Sequence, residues 1–272
     1  MAARLIQRVH LPTVDSTNTW VKRNALSLDP LALLTAVTAA EQTAGRGRGA
    51  RAWSSSGDDI KLTLAFFLPP AAIPTAYLLS PLLCVAARRA LGARGIGGSG
   101  IKWPNDLVMG GARKVGGILA EMEGPFAERG GGFLVALGIG LNVNSLPEAL
   151  GVERPAWPLT TLRAEAGGAP LDVGALTEAL VGAFADALPL FLGQGFAPFK
   201  AEYDAASVLQ GRRVRFAAGE GVVEEGVVLG VGADGRLLLE GAGGGAPRAF
   251  LSGEVSGVAL VEGGALVGAP QD

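Results

Sequence analysis

Between Glu41 and Trp53 the chain reads Glu-Gln-Thr-Ala-Gly-Arg-Gly-Arg-Gly-Ala-Arg-Ala-Trp. No apolar residue recurs there with the period of a strand or a helix, so the stretch cannot be a core element. Strand-like runs flank it, Leu33–Glu41 before and Ile60–Phe67 after. It is therefore a loop slung between two strands. Arg46, Arg48 and Arg51 give it three positive charges, and no acid follows Glu41. Gly45, Gly47 and Gly49 let its backbone approach a ligand closely. Arginine offers a planar fork of donors suited to carboxylate or phosphate. The loop is not a Walker A motif, and no apolar helix follows to make it a dinucleotide fingerprint. Gly-Arg runs also occur in nucleic-acid-binding tails, so the loop alone does not decide the ligand.

The segments around it read as an α+β chain. Leu5–Val14 alternates loosely as a strand, and Asp15-Ser16-Thr17-Asn18 precedes a short helix through Trp20 to Leu26. Those four residues are suited to capping that helix. The alternative is that Ser16 and Thr17 face a ligand at the helix start. Pro69 and Pro70 break the chain, and Ala76–Leu91 reads as a buried helix with Leu79, Leu83, Ala86 and Ala90 on one face. In Ile101-Lys102-Trp103-Pro104-Asn105-Asp106-Leu107-Val108 a proline turn joins two short strands and gathers a cation, an amide and a carboxylate. Lys114 opens a strand in which Gly116 and Gly117 imply close approach of a backbone or ligand. Phe133–Leu141 is the next strand. Prolines 147, 155 and 158 keep Ser145–Thr160 irregular.

Asp172 is placed to cap a helix carrying Leu176, Leu180, Phe184, Leu188 and Phe191, with Pro189 expected to kink its end. Phe196–Ala205 reads as a last helix. From Leu209 the texture changes to short strands: Arg213–Phe216, Gly226–Val231, Arg236–Glu240 and Arg248–Leu251. A turn at Ala233-Asp234-Gly235 lies among them, and the spacing predicts a small β-barrel of about 60 residues. Two units are expected, residues 1–208 and 209–272.

Charge and cysteine content narrow the function classes. The 23 basic and 25 acidic side chains leave a net charge of −2, unlike the basic domain of a general nucleic-acid binder. The single cysteine, Cys84, sits in an apolar run, which excludes an intrachain disulfide, fits a reducing cytoplasm and predicts an inert buried thiol. His10 is the only histidine and reads as structural, so no His cluster is available for zinc. With no signal peptide and no apolar run of about 18 residues, the expectation is a soluble, cytoplasmic protein.

The order of the motifs is more specific than any one of them. Asp15-Ser16-Thr17-Asn18, Gly45-Arg46-Gly47-Arg48-Gly49, Lys102-Trp103-Pro104-Asn105-Asp106, Arg113-Lys114-Val115-Gly116-Gly117-Ile118-Leu119 and Gly138-Ile139-Gly140-Leu141-Asn142 follow in succession. This arrangement resembles a biotin–protein ligase over nearly the whole chain. Gly211-Arg212-Arg213-Val214, Leu237-Leu238-Leu239 and Gly253-Glu254-Val255-Ser256 resemble the family's terminal domain.

The resemblance implies a mixed-sheet catalytic domain of the class II synthetase type followed by an SH3-like barrel. It implies an ATP- and Mg2+-dependent two-step reaction: biotin becomes biotinyl-5′-AMP, and a lysine of the biotin carboxyl carrier protein of acetyl-CoA carboxylase then takes the biotinyl group. Ser16, Thr17 and Gln42 would bond the ureido ring of biotin, with Asn18 a further binding residue. Gly45, Arg46, Gly47, Arg48 and Arg51 would close over its tail and the phosphate. Gly116 and Gly117 would pack beneath the bicycle, with Trp53 near the end of the loop. Lys102, Asn105 and Asn142 would serve ATP. Lys114, Arg46 and Asp106 are the catalytic candidates, with Asp106 either orienting magnesium or taking the proton of the incoming lysine.

The motif series begins at Asp15, so the resemblance is to the monofunctional type without an N-terminal DNA-binding domain, and neither specific DNA nor a membrane is an expected partner. A homodimer is left open. Gly49-Ala50 stands where relatives often carry a basic residue and a glycine. The adenine loop within Ser145–Thr160 matches poorly, and Trp157 there reads equally as an adenine stack or a surface tryptophan. The rivals are a lipoate–protein ligase or related acyltransferase of the same fold, whose histidine motif or Cys/Lys pair is not found, and a non-enzymatic biotin sensor.

Overall fold

Runs of alternating apolar residues assemble into a seven-stranded mixed sheet in the computed structural model, which describes residues 5–53, 58–145, 157–217, 223–241, 246–262 and 265–267. Its strands are β1 (Ile6–Val14), β2 (Leu34–Gln42), β3 (Ile60–Leu68), β4 (Ser99–Lys102), β5 (Asp106–Met109), β6 (Arg113–Phe126) and β7 (Gly132–Leu141). The spatial order is β1-β2-β3-β7-β6-β5-β4. Only β1 and β2 run parallel; the other pairs are antiparallel.

Strand periodicity sorts the two faces. Ile60, Leu62, Leu64, Phe66 and Leu68 of β3 belong to the main core, with residues of α2 (Leu79–Ala93) and α4 (Val173–Gln194). On the opposite face α1 (Thr17–Arg23) buries Val21 with Val37, Ala65 and Ala136. A buried Leu or Phe side chain stabilises by about 1.5–3 kcal/mol. An exposed ion pair gives about 0–1 kcal/mol, so the fold rests on these two apolar layers.

Two short helices, α3 (Leu162–Glu165) and α5 (Ala197–Ala206), complete the first unit. Asp172 caps α4 as expected, Oδ1 accepting from Ala175 N–H at 2.9 Å. Several local expectations change. The buried helix begins at Leu79 rather than Ala76, because 3-10 turns occupy Pro70–Leu78. An α-helix starting at Ala76 would need a Pro81 N–H to donate to Tyr77 O, and proline has none. A start at Leu79 puts Pro81 in the first turn, where no N–H is required. Ser16 occupies the N-cap position of α1 but makes no side-chain capping bond.

Two helical stretches, Pro70–Ala93 and Val173–Gln194, are long and apolar enough to cross a membrane by length and composition. That differs from the expectation of no such run. Both pack here as core helices against each other and the sheet. Cys84 is fully buried, and burial pushes its thiol pKa up. His10 Nδ1 lies 3.0 Å from Thr38 Oγ1, a strand-to-strand contact.

The second sheet contains β8 (Arg212–Ala217), β9 (Val223–Val231), β10 (Leu237–Gly241), β11 (Arg248–Phe250), β12 (Glu254–Glu262) and β13 (Ala265–Val267). It is antiparallel, in the order β11-β10-β9-β8-β12-β13, and forms the expected SH3-like unit. The turn before β10 docks it onto the first unit. Trp103 Nε1 donates to Gly235 O at 3.3 Å, and the Tyr77 hydroxyl donates to Asp234 O at 2.6 Å. The rings of Trp103 and Phe216 lie 6.0 Å apart.

Candidate active site

A cavity of about 200 Å³ opens on the α1 side of the large sheet, beneath the arginine loop. β3, β6 and β7 form its floor. Register puts Lys61 opposite Gly140 and Thr63 opposite Gly138, and Gly117 opposite Gly140. The bare glycines matter here. A side chain at Gly138 would collide with Asn18, and one at Gly140 with the Trp53 ring. A side chain at Gly117 would reach Lys114 Nζ and Asp106 Oδ1 within 3.3–3.4 Å.

One end of the cavity is neutral and polar. Gln42 Oε1 accepts from Thr17 N–H at 2.8 Å and from Thr17 Oγ1 at 3.1 Å. That fixes the amide and leaves the Gln42 Nε2 group turned toward Gly45. Thr63 Oγ1 lies 2.8 Å from Thr17 Oγ1 and donates to Asn18 Oδ1 at 2.6 Å. Ser16, Thr17 and Asn18 are all buried in this wall. The helix start is thus used to build a pocket of donors and acceptors rather than a side-chain cap.

The other end is cationic. The β4–β5 hairpin delivers Lys102 and Asp106, and β6 delivers Lys114. Asp106 Oδ1 meets Lys114 Nζ at 2.6 Å, and Oδ2 lies 3.6 Å from Lys102 Nζ. Burial, partly offset by Asp106, pulls the Lys102 pKa below its ordinary value. Burial likewise lowers Lys61 on the floor. Six cations line the cavity with two carboxylates, Asp106 and Glu254, and Glu121 meets Arg46 from outside the lining. Around Asp106 two lysines share one carboxylate, an excess of positive charge that suits an anion.

The loop folds over this end. Its ends are tied by Trp53 N–H to Gly45 O at 2.9 Å and Gly47 N–H to Arg51 O at 2.7 Å. Gly49 adopts φ +63°, a left-handed value that favours glycine. The three arginines do not simply repel. Arg46 pairs with Glu121 at 2.8 Å and Arg51 with Glu254 at 2.6 Å. Arg48 is half-buried and donates to Asn105 Oδ1 at 3.2 Å and Gly253 O at 3.3 Å. Burial lowers the Arg48 pKa. Trp53 Nε1 is buried without a hydrogen-bond partner, an N–H that a ligand acceptor would satisfy.

Most of the residues expected from the sequence therefore converge. Gly116 does not line the cavity. It faces the core, where a side chain would strike Leu141 and Gly140 O. Gly45 stands just outside, allowing Trp53 O to approach. Asn142 reaches the wall while its Nδ2 donates to Thr160 O at 3.1 Å. Trp157 is buried in the wall, with Lys102 Nζ 5.0 Å from its ring centre, so it is not a surface tryptophan. The rest of the expected adenine loop, residues 146–156, lies outside the described residues.

Lys61 and Thr63 were not singled out in the sequence, nor was Glu121, and Gly253-Glu254-Val255 stood out there as a terminal-domain motif rather than as part of the cavity wall. A lysine and a threonine two apart in an apolar strand were a usable signal for Lys61 and Thr63. Among the described residues no group of three or more His, Cys, Asp or Glu side chains converges, and Asp106 is already shared by two lysines. The side chains present do not fit a protein-held Mg2+ cage, which needs more free oxygen ligands.

Residues 11–144 match the Biotin/lipoate A/B protein ligase family, and residues 210–257 match the Biotin protein ligase C terminal domain. The chain is 35% identical to a biotin--[acetyl-CoA-carboxylase] ligase of Paracoccus denitrificans, covering 86% of this chain and 94% of that protein. It is 30% identical to the bifunctional ligase/repressor BirA of Escherichia coli, covering 90% of this chain and 72% of BirA. Among solved structures, the biotin protein ligase from Aquifex aeolicus in complex with biotin and ATP superposes with a TM-score of 0.73 at 27% identity. That match covers 92% of this chain and 97% of the other.

Proposed function

The chain belongs to the biotin protein ligase family, and we propose on that premise that it forms biotinyl-5′-AMP from biotin and ATP. It then transfers the biotinyl group to a lysine of the carrier protein of acetyl-CoA carboxylase. The observation that carries the reading is one cavity with a neutral polar pocket at one end and the Lys114–Asp106–Lys102 cluster with Arg48 at the other.

In the first step a biotin carboxylate oxygen bonds to the α-phosphorus of ATP, and the bond to the departing pyrophosphate breaks. Both reactants are anions, so the work is alignment and charge neutralisation. Ser16, Thr17, Asn18 and Gln42 hold the ring. Lys114 lies where the carboxylate and α-phosphate meet. Lys102, Asn105, Asn142 and Trp157 line the nucleotide side, and Arg48 and Arg51 close from above. Arg46 acts through the loop. Gly45 and Gly47 let the loop close near the tail, and Gly117 and Trp53 flank the bicycle. Mg2+ belongs to this reading as a companion of the ATP phosphates, not of a protein cage, and no step here runs through it. In the second step the carrier amine attacks the acyl carbon, AMP leaves, and Asp106 takes the amine proton. The units divide at residues 208 and 209, and the setting is the cytoplasm.

Incubation with ATP, biotin and a carrier domain, with lipoate in parallel, tests the assignment. Biotin-dependent pyrophosphate release and carrier labelling are expected. Labelling by lipoate in place of biotin, or neither product, would overturn it.

A further inference from the structure

Glu121 does not line the cavity, yet three donors converge on its carboxylate from two different elements. Oε1 accepts from Lys22 Nζ at 2.7 Å, and Oε2 accepts from Asn18 Nδ2 at 3.0 Å. Arg46 reaches both oxygens, at 3.1 and 2.8 Å. Lys22 and Asn18 belong to α1, and Arg46 to the arginine loop. We propose that Glu121 is a positioning residue that couples the ring-binding pocket to closure of the arginine loop. It would set biotin affinity and adenylate retention without touching either. For its substrate the proposal rests on the ligase reading above.

The connection is continuous. Thr63 donates to Asn18 Oδ1, the Thr17 hydroxyl lies against Thr63 Oγ1, and the Thr17 backbone N–H donates to Gln42 Oε1. Gln42 ends β2, three residues before Gly45. The network therefore leaves the loop through Arg46 and returns to its base through Gln42, with the pocket floor between. Gly138 keeps it tight, because any side chain there would displace Asn18. A ligand that recruits Thr17 or Gln42 must shift donors along this line and so reaches Glu121.

Chemistry gives the line a direction. An ionised carboxylate only accepts, so every neighbour must point a donor at it. Burial pushes the Glu121 pKa up, but the bonds from Lys22 and Asn18 and the Arg46 charge more than offset it, holding it below its ordinary range. The side chain is only 19% exposed, so solvent screens these contacts less than an ordinary surface pair.

Glu121→Gln keeps the shape and removes the charge, and Glu121→Asp keeps the charge. The first readout is amide exchange of residues 45–52 in the full chain without substrates. The second is biotin-dependent pyrophosphate release resolved into KM and kcat. Losing a charge-assisted bond of this kind should speed loop exchange about tenfold and raise the biotin KM about tenfold, with kcat within about twofold. Glu121→Asp should fall between parent and Gln. The Arg46→Ala/Glu121→Gln double variant should be no worse than the worse single one, as expected for one shared interaction.

Arg46→Ala, which leaves Glu121 paired with Lys22, reads the coupling from the other side. Amides of residues 17–19 should then exchange faster, and this holds the test open if Glu121→Gln does not fold. Parent-like loop exchange and KM in folded Glu121→Gln, or additive effects in the double variant, would overturn the proposal. A parent chain that does not activate biotin would sink the ligase reading alone, because loop exchange without substrates still decides the coupling.

Discussion

Lys114 and Asp106 meet at 2.6 Å, and Lys102 stands 3.6 Å from the same carboxylate. One acid between two lysines leaves a surplus positive charge, and an incoming anion can draw on it without first breaking a neutral pair. Removing Lys114 leaves Asp106 matched by Lys102 alone and cancels that surplus. Lys114→Ala should therefore stay folded and lose adenylate formation by about a thousandfold, roughly 4 kcal/mol of transition-state stabilisation. Near-normal pyrophosphate release from the folded variant would end this assignment. Lys102 supplies a test through protons. Its folded pKa lies below the ordinary 10.5, so its charge is disfavoured in the folded chain, and stability rises as pH climbs toward that value. A bound polyanion reverses the preference and raises the pKa again. Pyrophosphate binding in the alkaline range should thus take up protons, seen by calorimetry in two buffers of different ionisation enthalpy. Lys102→Met should abolish the uptake, and equal uptake by both chains would exclude Lys102 as its source. At this scale the sequence was readable where residue type implied chemistry, as for Lys102, Asp106 and Lys114. It was not readable for which of Gly116 and Gly117 faces the cavity, because the register of β6 decides that.

The arginine loop shows what a local segment reveals and what it conceals. Its glycines, charges and flanking strands predicted a loop able to approach a ligand, and its arginines line the cavity. Considered alone, three close arginines should repel and hold the loop open. The fold supplies the missing acids from distant positions, Glu121 on β6 and Glu254 at the start of β12. No local pattern could announce contacts spanning 75 and 203 residues. Glu121 also gives the loop a pH dependence. Because its folded pKa is lowered, its contribution is present above the unfolded value near 4.5 and is lost as pH falls through the folded value. Exchange in residues 45–52 should accelerate below about pH 4.5, earlier than in the core strands. Simultaneous exposure of loop and core would refute a local latch. The two inner arginines should also differ. Arg48 is half-buried and ties the loop to Asn105 and Gly253, whereas Arg46 is more exposed and holds Glu121. Arg48→Gly should leak more reactive adenylate, labelling bystander lysines more strongly than Arg46→Gly. The reverse ranking would contradict the burial argument.

Over the whole chain, the strands β8 to β13 follow the change of texture near Leu209, but that change did not reveal that they help wall the cavity. Gly253, Glu254 and Val255 line it, and the main core runs through both units, joining Trp103 and Leu79 to Phe216 and Leu237. The units should therefore unfold together. The Ala233-Asp234-Gly235 turn is the place to test this. Gly235 has φ +78°, and its missing side chain leaves room for Leu78, with Tyr77 Cε2 3.7 Å from where a Cβ would stand. Its carbonyl accepts from Trp103, and the neighbouring Asp234 carbonyl accepts from Tyr77. A valine there meets both a left-handed backbone and a filled space, a combined penalty of about 2–4 kcal/mol. For a chain of this size that corresponds to a Tm lower by about 5–10 °C. If the core is shared, Gly235→Val should show one calorimetric transition at the lower temperature. The biotin-activation rate should fall as well, since the wall carrying Gly253 and Glu254 is displaced. Two separated transitions, with the first unit keeping its parent Tm and activity, would mean that the small sheet is an independent module resting against the site.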